Sequence, residues 1–198
     1  MLKITNVDFA FGKKTVLEDF SLELNKGEIL AVMGPSGCGK TTLLSLIAGL
    51  YKPQKGEIES TAQKVTYVFQ EPRLFPWLTV KENVAFVMDE KNENVEETVA
   101  ECLSLVGLSD AADKYPAELS GGMKSRASLA RALAYGGDLF LLDEPFAALD
   151  EELRGSLSPK IKDYLNARGA SAILVTHNRE DAQKIADRIL TLPSSQAQ

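Results

Sequence analysis

The segment Gly34–Thr42, with the sequence GPSGCGKTT, carries the clearest chemical pattern in this chain. It fits G-x-x-x-x-G-K-[ST] at every fixed position and lies between a predicted strand, EILAVM, and a predicted helix, KTTLLSLIAGL. Gly34, Gly37 and Gly39 allow the backbone to curl so that successive N–H groups point at an anion, which the N-terminus of the helix also attracts. The pattern predicts a loop that holds the phosphates of a nucleotide, with a plain glycine-rich turn as the alternative.

Side chains at the end of this loop extend the phosphate chemistry. Lys40 can reach the outer phosphates, Thr41 can offer its hydroxyl to Mg²⁺, and Thr42 can bond an inner phosphate. The sequence therefore predicts that the nucleotide binds together with a divalent metal ion.

Two acidic residues follow the apolar run LFLL, which is a predicted strand. Asp143 stands at the carboxyl end of this strand, where the ligands of parallel α/β sheets gather, and we expect it to hold Mg²⁺. Glu144 is expected to be kept extended by Pro145 and to be the base that orients or deprotonates the water attacking the γ-phosphate. Each acid taken alone could equally close a strand before a turn.

A second anion pattern, LSGGMKS, occupies Leu119–Ser125. Ser120, Gly121 and Gly122 stand at the start of a predicted helix, where they provide a hydroxyl, close backbone approach and N–H groups without helical partners. An ordinary N-cap by Ser120 is the alternative. Because the first loop is already a site for a nucleotide, the pattern leaves open whose phosphate a second anion loop would bind.

The composition is that of a globular protein, with 44% hydrophobic and 25% charged residues in a chain of 198. The net charge of −6 argues against a protein that coats nucleic acid, and we expect no nucleic-acid partner. Cys38 and Cys102 lack metal-ligand spacing, and no secretion signal is visible at the N-terminus, so a reducing cytoplasm is expected. The apolar runs are shorter than the ~18 residues that cross a bilayer, so a role at a membrane requires a partner.

The elements around these motifs predict an α/β fold, a phosphate-loop NTPase core with a mixed sheet. The segments LKITNVDFAF, FSLEL, GEIE and KVTYVF are typical of strands, in part antiparallel, and predict an N-terminal antiparallel β subdomain. DLFLLDE and SAILVTH are strands that alternate with helices in the last third of the chain. Pro159 should kink or interrupt the first of those helices.

The sequence predicts a single domain over residues 1–198. Its core, together with the antiparallel part, is expected in residues 1–70 and 136–198. Residues 71–135 change to a helical period and predict an inserted α-helical subdomain that contains the second anion loop. Thr79, three residues before a glutamate, should begin one of its helices with a capping box.

The phosphate loop, LSGGM and LLDEP follow one another in the order found in the nucleotide-binding subunits of ABC transporters, with a helical stretch between the first two. The chain resembles that family over nearly its whole length. The resemblance implies that two such domains, here expected as a homodimer, pair head to tail around two ATP molecules. Each ATP then lies between the phosphate loop of one subunit and the signature loop, Ser120–Gly122, of the other, so the second loop serves the partner's nucleotide.

Further positions match the site residues of that family one by one. Phe11 matches the aromatic residue that stacks on adenine, and Gln70 matches the glutamine that touches Mg²⁺ and the attacking water. Asp150 matches the residue that communicates across the dimer, and His177, which with Gln70 and Glu144 completes the implied catalytic set, matches the histidine that bonds the γ-phosphate. Core packing, an exposed strand-end amide, a helix cap and a structural histidine are the respective alternatives. The resemblance implies that the whole loop binds the nucleotide: Gly34, Pro35, Ser36, Gly37, Cys38, Gly39, Lys40, Thr41 and Thr42.

The chain departs from the family pattern in three places. Met123 replaces the usual glutamine of the signature, so Ser120 loses its capping-box partner, and a lower activity is one consequence to test. Asn178 follows His177 where aspartate is common. The chain ends soon after RILTL, without the regulatory extension that some relatives carry.

The resemblance implies an Mg²⁺-dependent ATPase that powers a membrane-spanning permease from the cytoplasmic face of the membrane. The segment EPRLFPWLTVKENV most resembles the corresponding segment in the ATP-binding subunits of importers of nitrate, sulfonate or taurine. A solute-binding protein serves such importers. Phe75 and Trp77 in this segment predict a docking groove for the permease beside Gln70, with burial against the helical subdomain as the alternative.

Two other classes of protein compete with the transport ATPase. A soluble ABC-type ATPase of DNA repair or translation usually carries two cassettes or a long coiled coil between the motifs, and here each motif occurs once with a short gap. A nucleotide-gated binding module that hardly hydrolyses ATP would have no need for Glu144, Gln70 and His177 together. These features favour transport.

Overall fold

The computed structural model describes residues 1–89 and 94–193. Residues 90–93 of the predicted helical subdomain and residues 194–198 of the predicted core lie outside the described residues. No helix in the described ranges is both long and apolar enough to cross a membrane. The strands are β1 (Leu2–Phe11), β2 (Lys14–Leu24), β3 (Ile29–Met33), β4 (Lys55–Ser60), β5 (Val65–Val68), β6 (Leu139–Asp143), β7 (Ser171–Val175) and β8 (Arg188–Thr191). The helices are α1 (Lys40–Ile47), α2 (Val80–Ala85), α3 (Val95–Leu105), α4 (Gly121–Tyr135), α5 (Glu151–Ala167) and α6 (Arg179–Ile185), with short 3₁₀ helices at Ser109–Ala111 and Pro116–Glu118.

The strands form two sheets, one antiparallel with the order β2-β1-β4 and one parallel with the order β5-β6-β7-β3-β8. The predicted α/β fold class and its N-terminal antiparallel part are therefore confirmed. The two pairing directions are divided between the sheets instead of meeting in one mixed sheet. The reason is that, within residues 1–89 and 94–193, β3 and β5 pair with parallel neighbours, which helical crossovers connect to them.

The antiparallel sheet has one face on the core. Burial alternates along β1, where Leu2 and Ile4 are buried and Lys3 between them is exposed, as expected for a sheet with one solvated face. Ile4 pairs with Leu22 of β2 and with Ile58 of β4, so the register brings apolar side chains onto the same face. The sheet thereby carries the end of β1 to the rim of the parallel sheet.

The parallel sheet places the carboxyl ends of its central strands at one edge. Strands β6 and β7 are buried throughout, as is β3 up to its last residue, which is typical of strands covered on both faces. Val32 of β3 and Asp143 of β6 both pair with Val175 of β7. The loops that follow these three strands therefore leave the sheet side by side, which is where ligands bind in such folds.

Helices α2, α3 and α4 lie between β5 and β6 in the chain and share one hydrophobic cluster with the sheet. The predicted capping box at Thr79 is confirmed, because its hydroxyl accepts from the Glu82 backbone N–H at 3.4 Å and its own N–H donates to the Glu82 carboxylate at 2.7 Å. Asn83, fully buried in α2, accepts from the Phe75 N–H at 2.8 Å and donates to the Phe75 carbonyl at 3.1 Å. These bonds fix the segment that precedes α2.

Helix α5 continues through Pro159 for 17 residues, so the expected interruption does not occur. Proline at this position removes one backbone hydrogen bond from the helix. Leu157, Ile161 and Leu165, on either side of it, are all buried in the core. Tertiary packing of this face outweighs the lost hydrogen bond, since packing and not local propensity supplies most of the stability of a helix in a protein.

Candidate functional site

A cleft of about 480 Å³ opens at the carboxyl edge of the parallel sheet. It brings together most of the predicted site residues from five separate parts of the chain: Phe11, Gly34, Ser36, Gly37, Gly39, Lys40, Thr41, Thr42, Gln70, Asp143, Glu144 and His177. It is also lined by four residues that the sequence did not single out, Lys14, Val16, Ala147 and Val175. No local pattern marks these four, because only the fold brings them to the loop.

The phosphate loop is shaped by glycines in conformations that other residues rarely adopt. Gly39 caps α1 with a φ of 101°, and a Cβ on it would lie 2.6 Å from Val16 Cγ1. Gly34 has a φ of 150°, and a Cβ there would lie 2.7 Å from Cys38 Sγ. Cys38 is buried with its thiol in the core and does not line the cleft. The loop therefore depends on glycine for its path as well as for access to a ligand.

Lys40 lies across the phosphate loop. Its Nζ donates to the carbonyl of Gly34 at 2.9 Å and to the carbonyl of Pro35 at 2.8 Å. Pro35 therefore takes part in the loop through its backbone, although its side chain does not line the cleft. The ammonium group is held at the concave side of the loop, where it can contact a bound anion.

Asp143 is a buried carboxylate, with only 2% of its surface exposed. Its Oδ1 has no hydrogen-bond partner among the described residues. Burial raises the pKa of this carboxyl, and so does the neighbouring charge of Glu144, whereas a hydrogen bond from Thr41 and the charge of Lys40 lower it. An acid buried at this cost is typical of a group that binds a cation.

These groups fit Mg²⁺, a hard cation that takes oxygen ligands and keeps several of its waters. Within residues 1–89 and 94–193, no three or more His, Cys, Asp or Glu side chains cluster as a metal site. The protein ligands would be the orphaned oxygen of Asp143, the hydroxyl of Thr41 and the amide oxygen of Gln70. Water and the phosphates of a nucleotide would supply the remainder, as in other phosphate-loop sites.

Glu144 and His177 are in direct contact. Glu144 Oε2 lies 2.8 Å from His177 Nδ1, and the Glu144 side chain is largely buried, whereas that of His177 is 67% exposed. The expectation that Pro145 keeps Glu144 extended is wrong, because its φ is 51°. Its N–H continues the sheet pairing to the Val175 carbonyl at 3.0 Å, and its carbonyl accepts from Ala147 at 3.2 Å, so the chain turns tightly at this residue.

Gln70 lies on the cleft beyond the end of β5 and is exposed. The turn after it is held from α4, where Arg131 donates one hydrogen bond to the Pro72 carbonyl and one to the Arg73 carbonyl, each at 3.0 Å. Arg73 has a φ of 47°, and its guanidinium lies 3.9 Å over the ring of Phe69. Arg131 carries no local sequence signal for this role, because only the packing of α4 brings its guanidinium to the turn after Gln70.

The signature loop lies outside this cleft. Ser120 caps α4 by accepting from the Met123 N–H at 3.2 Å. The second bond of a capping box is missing, because the Met123 side chain has no oxygen to accept from the Ser120 N–H. A Cβ on Gly122 would lie 2.8 Å from the Ala148 carbonyl, whereas a Cβ on Gly121 would meet no atom within 4 Å. Asp150 caps α5 by accepting from the Leu153 N–H at 2.8 Å.

Exposed aromatic rings occur at Phe11, which lines the cleft, and in a second group around Phe75. Phe11 is 49% exposed, so it is not the core residue that the alternative interpretation allowed. Phe75 is half-buried and its ring lies 5.7 Å from Trp77 and 4.5 Å from Phe86. Trp77 is 70% exposed and Phe86 is 62% exposed, so Trp77 is not buried against the helices. We refer to Phe75, Trp77 and Phe86 as the aromatic patch.

The chain is similar to known proteins over most of its length. Residues 17–147 match the family model described as ABC transporter. The chain is 45% identical over 188 residues to the bicarbonate transport ATP-binding protein CmpC of Synechococcus elongatus, covering 89% of this chain and 28% of that protein. It is 42% identical over 185 residues to the aliphatic sulfonates import ATP-binding protein SsuB 1 of Pseudomonas savastanoi pv. phaseolicola, covering 93% of this chain and 77% of that protein.

A solved structure is similar over almost the whole chain. The dimeric post-hydrolysis state of the ATP-binding cassette MJ0796 bound to ADP and Pi superposes with a TM-score of 0.88 and 30% sequence identity. The match covers 98% of this chain and 95% of that chain. The likeness to that cassette thus extends through both sheets and the helices between them.

Proposed function

The chain belongs to the ABC transporter family, and from this premise we propose that it is an Mg²⁺-dependent ATPase subunit. We propose that it pairs with a second copy around two ATP molecules and drives a membrane-spanning permease that imports a small solute. The observation that carries the proposal is the convergence in one cleft of the phosphate loop, the buried Asp143 and the Glu144–His177 pair.

The phosphates of ATP are proposed to lie in the loop Gly34–Thr42, with the base on Phe11. Lys40 would exchange its bonds to two loop carbonyls for bonds to the outer phosphates, while Thr41, Gln70 and Asp143 hold the metal. Mg²⁺ bound there supplies charge neutralisation for the phosphoryl oxygens. The cost of burying the Asp143 carboxylate is thereby offset when ATP and metal bind.

Glu144 is proposed to be the general base. It would take a proton from the water that attacks the γ-phosphate, while Gln70 orients that water. His177 holds the Glu144 carboxylate at 2.8 Å and stands exposed at the mouth of the cleft, where it can also bond the γ-phosphate. This pair favours a hydrolase over a module that only binds nucleotide.

The signature loop is proposed to serve the nucleotide of a partner subunit. Ser120, Gly121 and Gly122 do not line their own cleft, and the space around Gly121 is open in the monomer. Gly122 packs against the segment that ends at Asp150, so the two regions expected to meet the partner are in contact with each other. A head-to-tail homodimer would use both.

The aromatic patch is proposed as the contact for the permease. Trp77 and Phe86 are large apolar side chains that follow Gln70 in the chain and are exposed, and such surfaces usually mark binding sites. Binding there would hold the subunit on the cytoplasmic face of the membrane as a peripheral protein. Import of a nitrate-like or sulfonate-like anion, with a solute-binding protein acting outside, remains the favoured assignment of cargo and direction.

The domain division is part of the same proposal. Residues 1–70 and 136–198 would form the ATPase core, and residues 71–135 the helical subdomain that carries the signature loop. Asn83 and Arg131 tie the start of this helical region to the turn after Gln70. Movement of Gln70 could thereby be passed to the aromatic patch.

The proposed function is tested with two variants of the purified chain in ATPase and size-exclusion assays. Lys40→Ala should lose ATP binding and hydrolysis, whereas Glu144→Gln should bind ATP, form a stable dimer and hydrolyse it slowly. Hydrolysis at the normal rate in both variants, or full activity in a strictly monomeric form, would contradict the proposal. If Trp77→Ala co-purifies with a permease at the wild-type level, the aromatic patch is not the contact for the permease.

A further inference from the structure

Three aromatic rings form a cluster at the rim of the cleft. Phe9 and Phe11 belong to β1, whereas Tyr51 follows α1, the helix of the phosphate loop. The rings of Phe9 and Tyr51 are stacked, with centroids 5.5 Å apart and planes at 25°. The Phe11 ring stands at 89° to Phe9 and at 85° to Tyr51, with centroid distances of 5.0 and 5.5 Å. Phe11 is thus held edge-to-face by two nearly parallel rings.

Only Phe11 among these three lines the cleft, as far as the described residues show. Phe9 is buried, and Tyr51 is 43% exposed but does not line the cleft. Phe11 therefore offers part of its surface to a ligand while two neighbours fix its orientation. Tyr51 contacts Phe11 and does not line the cleft, so we expect it to act on such a ligand through Phe11.

The segment that carries Tyr51 is fastened to β1. The backbone N–H of Gln54 donates to the Asp8 carbonyl at 2.9 Å, and the side-chain amide of Gln54 donates to the Ala10 carbonyl at 3.0 Å. These two bonds fall on either side of Phe9 in the sequence. They keep the chain after α1 next to β1. Hydrogen bonds of the backbone therefore hold the segment of Tyr51 beside the strand of Phe11.

We propose that Tyr51 is a positioning residue for the base of the nucleotide, because it holds the Phe11 ring in the orientation on which the base stacks. This inference rests on the proposed function, in which Phe11 receives the base. A ring that is already held by its neighbours loses less conformational freedom when a ligand binds. Truncation of Tyr51 leaves Phe11 with one ring partner. The Phe11 ring then loses more conformational freedom when the base binds, so nucleotide binding weakens.

The test compares ATP with inorganic tripolyphosphate, which has the phosphates but no base. Tyr51→Ala in the full chain should weaken ATP roughly 2- to 10-fold, the effect of one edge-to-face ring pair, and leave tripolyphosphate binding unchanged. Tyr51→Phe should bind both ligands as the wild type does. Leu50→Ala is the matched control, because Leu50 is adjacent, 57% exposed and outside the ring cluster. Isothermal titration calorimetry gives the affinities, and steady-state assays should show a higher KM for ATP at constant kcat.

Phe11→Ala separates this inference from the proposed function. It should weaken ATP selectively, and Tyr51→Ala should add nothing in that background. If Phe11→Ala selectively loses affinity for ATP and Tyr51→Ala does not, the positioning role of Tyr51 is overturned and the assignment of Phe11 stands. If neither variant distinguishes the two ligands, or if both ligands weaken equally, the assignment of Phe11 to the base is overturned as well. Tyr51→Leu takes the place of Tyr51→Ala if thermal denaturation shows that the latter is unfolded.

Discussion

Nδ1 of His177 lies 2.8 Å from Oε2 of Glu144, so the side chain that follows β7 holds the side chain that follows β6. The contact depends on the pairing of Asp143 with Val175 in the sheet, which brings the two strand ends together. It also depends on the φ of 51° at Glu144, which turns the chain directly after Asp143. One carboxylate, that of Asp143, is thereby buried, while the next, that of Glu144, is held by a histidine.

Replacement of Glu144 by glutamine should lower kcat for ATP hydrolysis by roughly 10²- to 10⁴-fold, the range for loss of a general base. His177→Ala should lower kcat less, because Glu144 remains but loses the group that orients it. Phosphate release from saturating MgATP measures both effects. Glu180→Gln is the control, because its exposed carboxylate on the following helix has no contact with the cleft. A normal kcat in His177→Ala would show that this contact has no part in the reaction.

Asp143→Asn should stabilise the protein in the absence of metal and nucleotide. The carboxylate is buried with an oxygen that has no partner among the described residues, and its neutral isostere avoids the cost of burying a charge. Chemical denaturation in EDTA should therefore show a higher free energy of unfolding for the variant. With MgATP present the order should reverse, because the wild type alone gains from the bound metal. Equal response of both proteins to MgATP would remove Asp143 from the metal site.

The same substitution should change the pH dependence of stability. Burial raises the pKa of Asp143 in the folded state, so between the unfolded and folded pKa values the folded protein binds more protons than the unfolded chain. The free energy of unfolding of the wild type should then fall as pH rises through that interval. The difference from Asp143→Asn should be largest above the folded pKa and disappear below the unfolded pKa. A difference independent of pH would contradict this cause.

The sequence predicted those parts of the site that depend on local chemistry. The glycines of the phosphate loop and the acid at the end of β6 follow from backbone freedom and sheet direction, each within a few residues. At Ser120 the structure shows the ordinary helix cap that was the alternative to an anion loop. The pre-proline rule failed at Glu144 because sheet pairing to Val175 and a tight turn determine its backbone. Pro159 did not interrupt α5 because the core holds the helix on both sides of it.

Contacts between distant segments had no sequence signal. Arg131 reaches the turn after Gln70 from another helix, and Tyr51 reaches Phe11 from the end of α1. In both cases the residue types are ordinary, and only the packing of two elements gives them a role. Such positions can be proposed only when the fold is known.

The two signature glycines should respond differently to alanine. Gly121→Ala meets no atom within 4 Å, so the free energy of unfolding should stay within about 1 kcal/mol of the wild type. Gly122→Ala places Cβ 2.8 Å from the Ala148 carbonyl, so the backbone must shift at a cost of about 1–3 kcal/mol. If the loop meets the partner's phosphate, Gly121→Ala should nevertheless reduce ATP-dependent dimerisation. Denaturation curves and size-exclusion with ATP separate the two effects, and full dimerisation of Gly121→Ala would argue against close backbone approach there.

Arg131→Lys should uncouple the turn after Gln70 from α4. The half-buried guanidinium spans two successive carbonyls, at Pro72 and Arg73, and an ammonium group cannot reproduce that fork. Burial lowers the pKa of Arg131, so a lysine there would also be costly to keep charged. We expect a loss of about 1–3 kcal/mol in the free energy of unfolding, together with a lower kcat per folded molecule.

Arg126→Lys provides the matched control for this prediction. Arg126 lies on the same helix and donates to the carbonyls of Val106 and Gly107 at 2.9 and 2.7 Å, away from Gln70. Its replacement should destabilise the protein to a similar extent and leave kcat per folded molecule unchanged, because the turn at Gln70 keeps its support. If both variants lower kcat equally after correction for the folded fraction, the effect is general loosening of α4. A kcat loss confined to Arg131→Lys instead assigns to this arginine the link between the signature helix and the glutamine of the cleft.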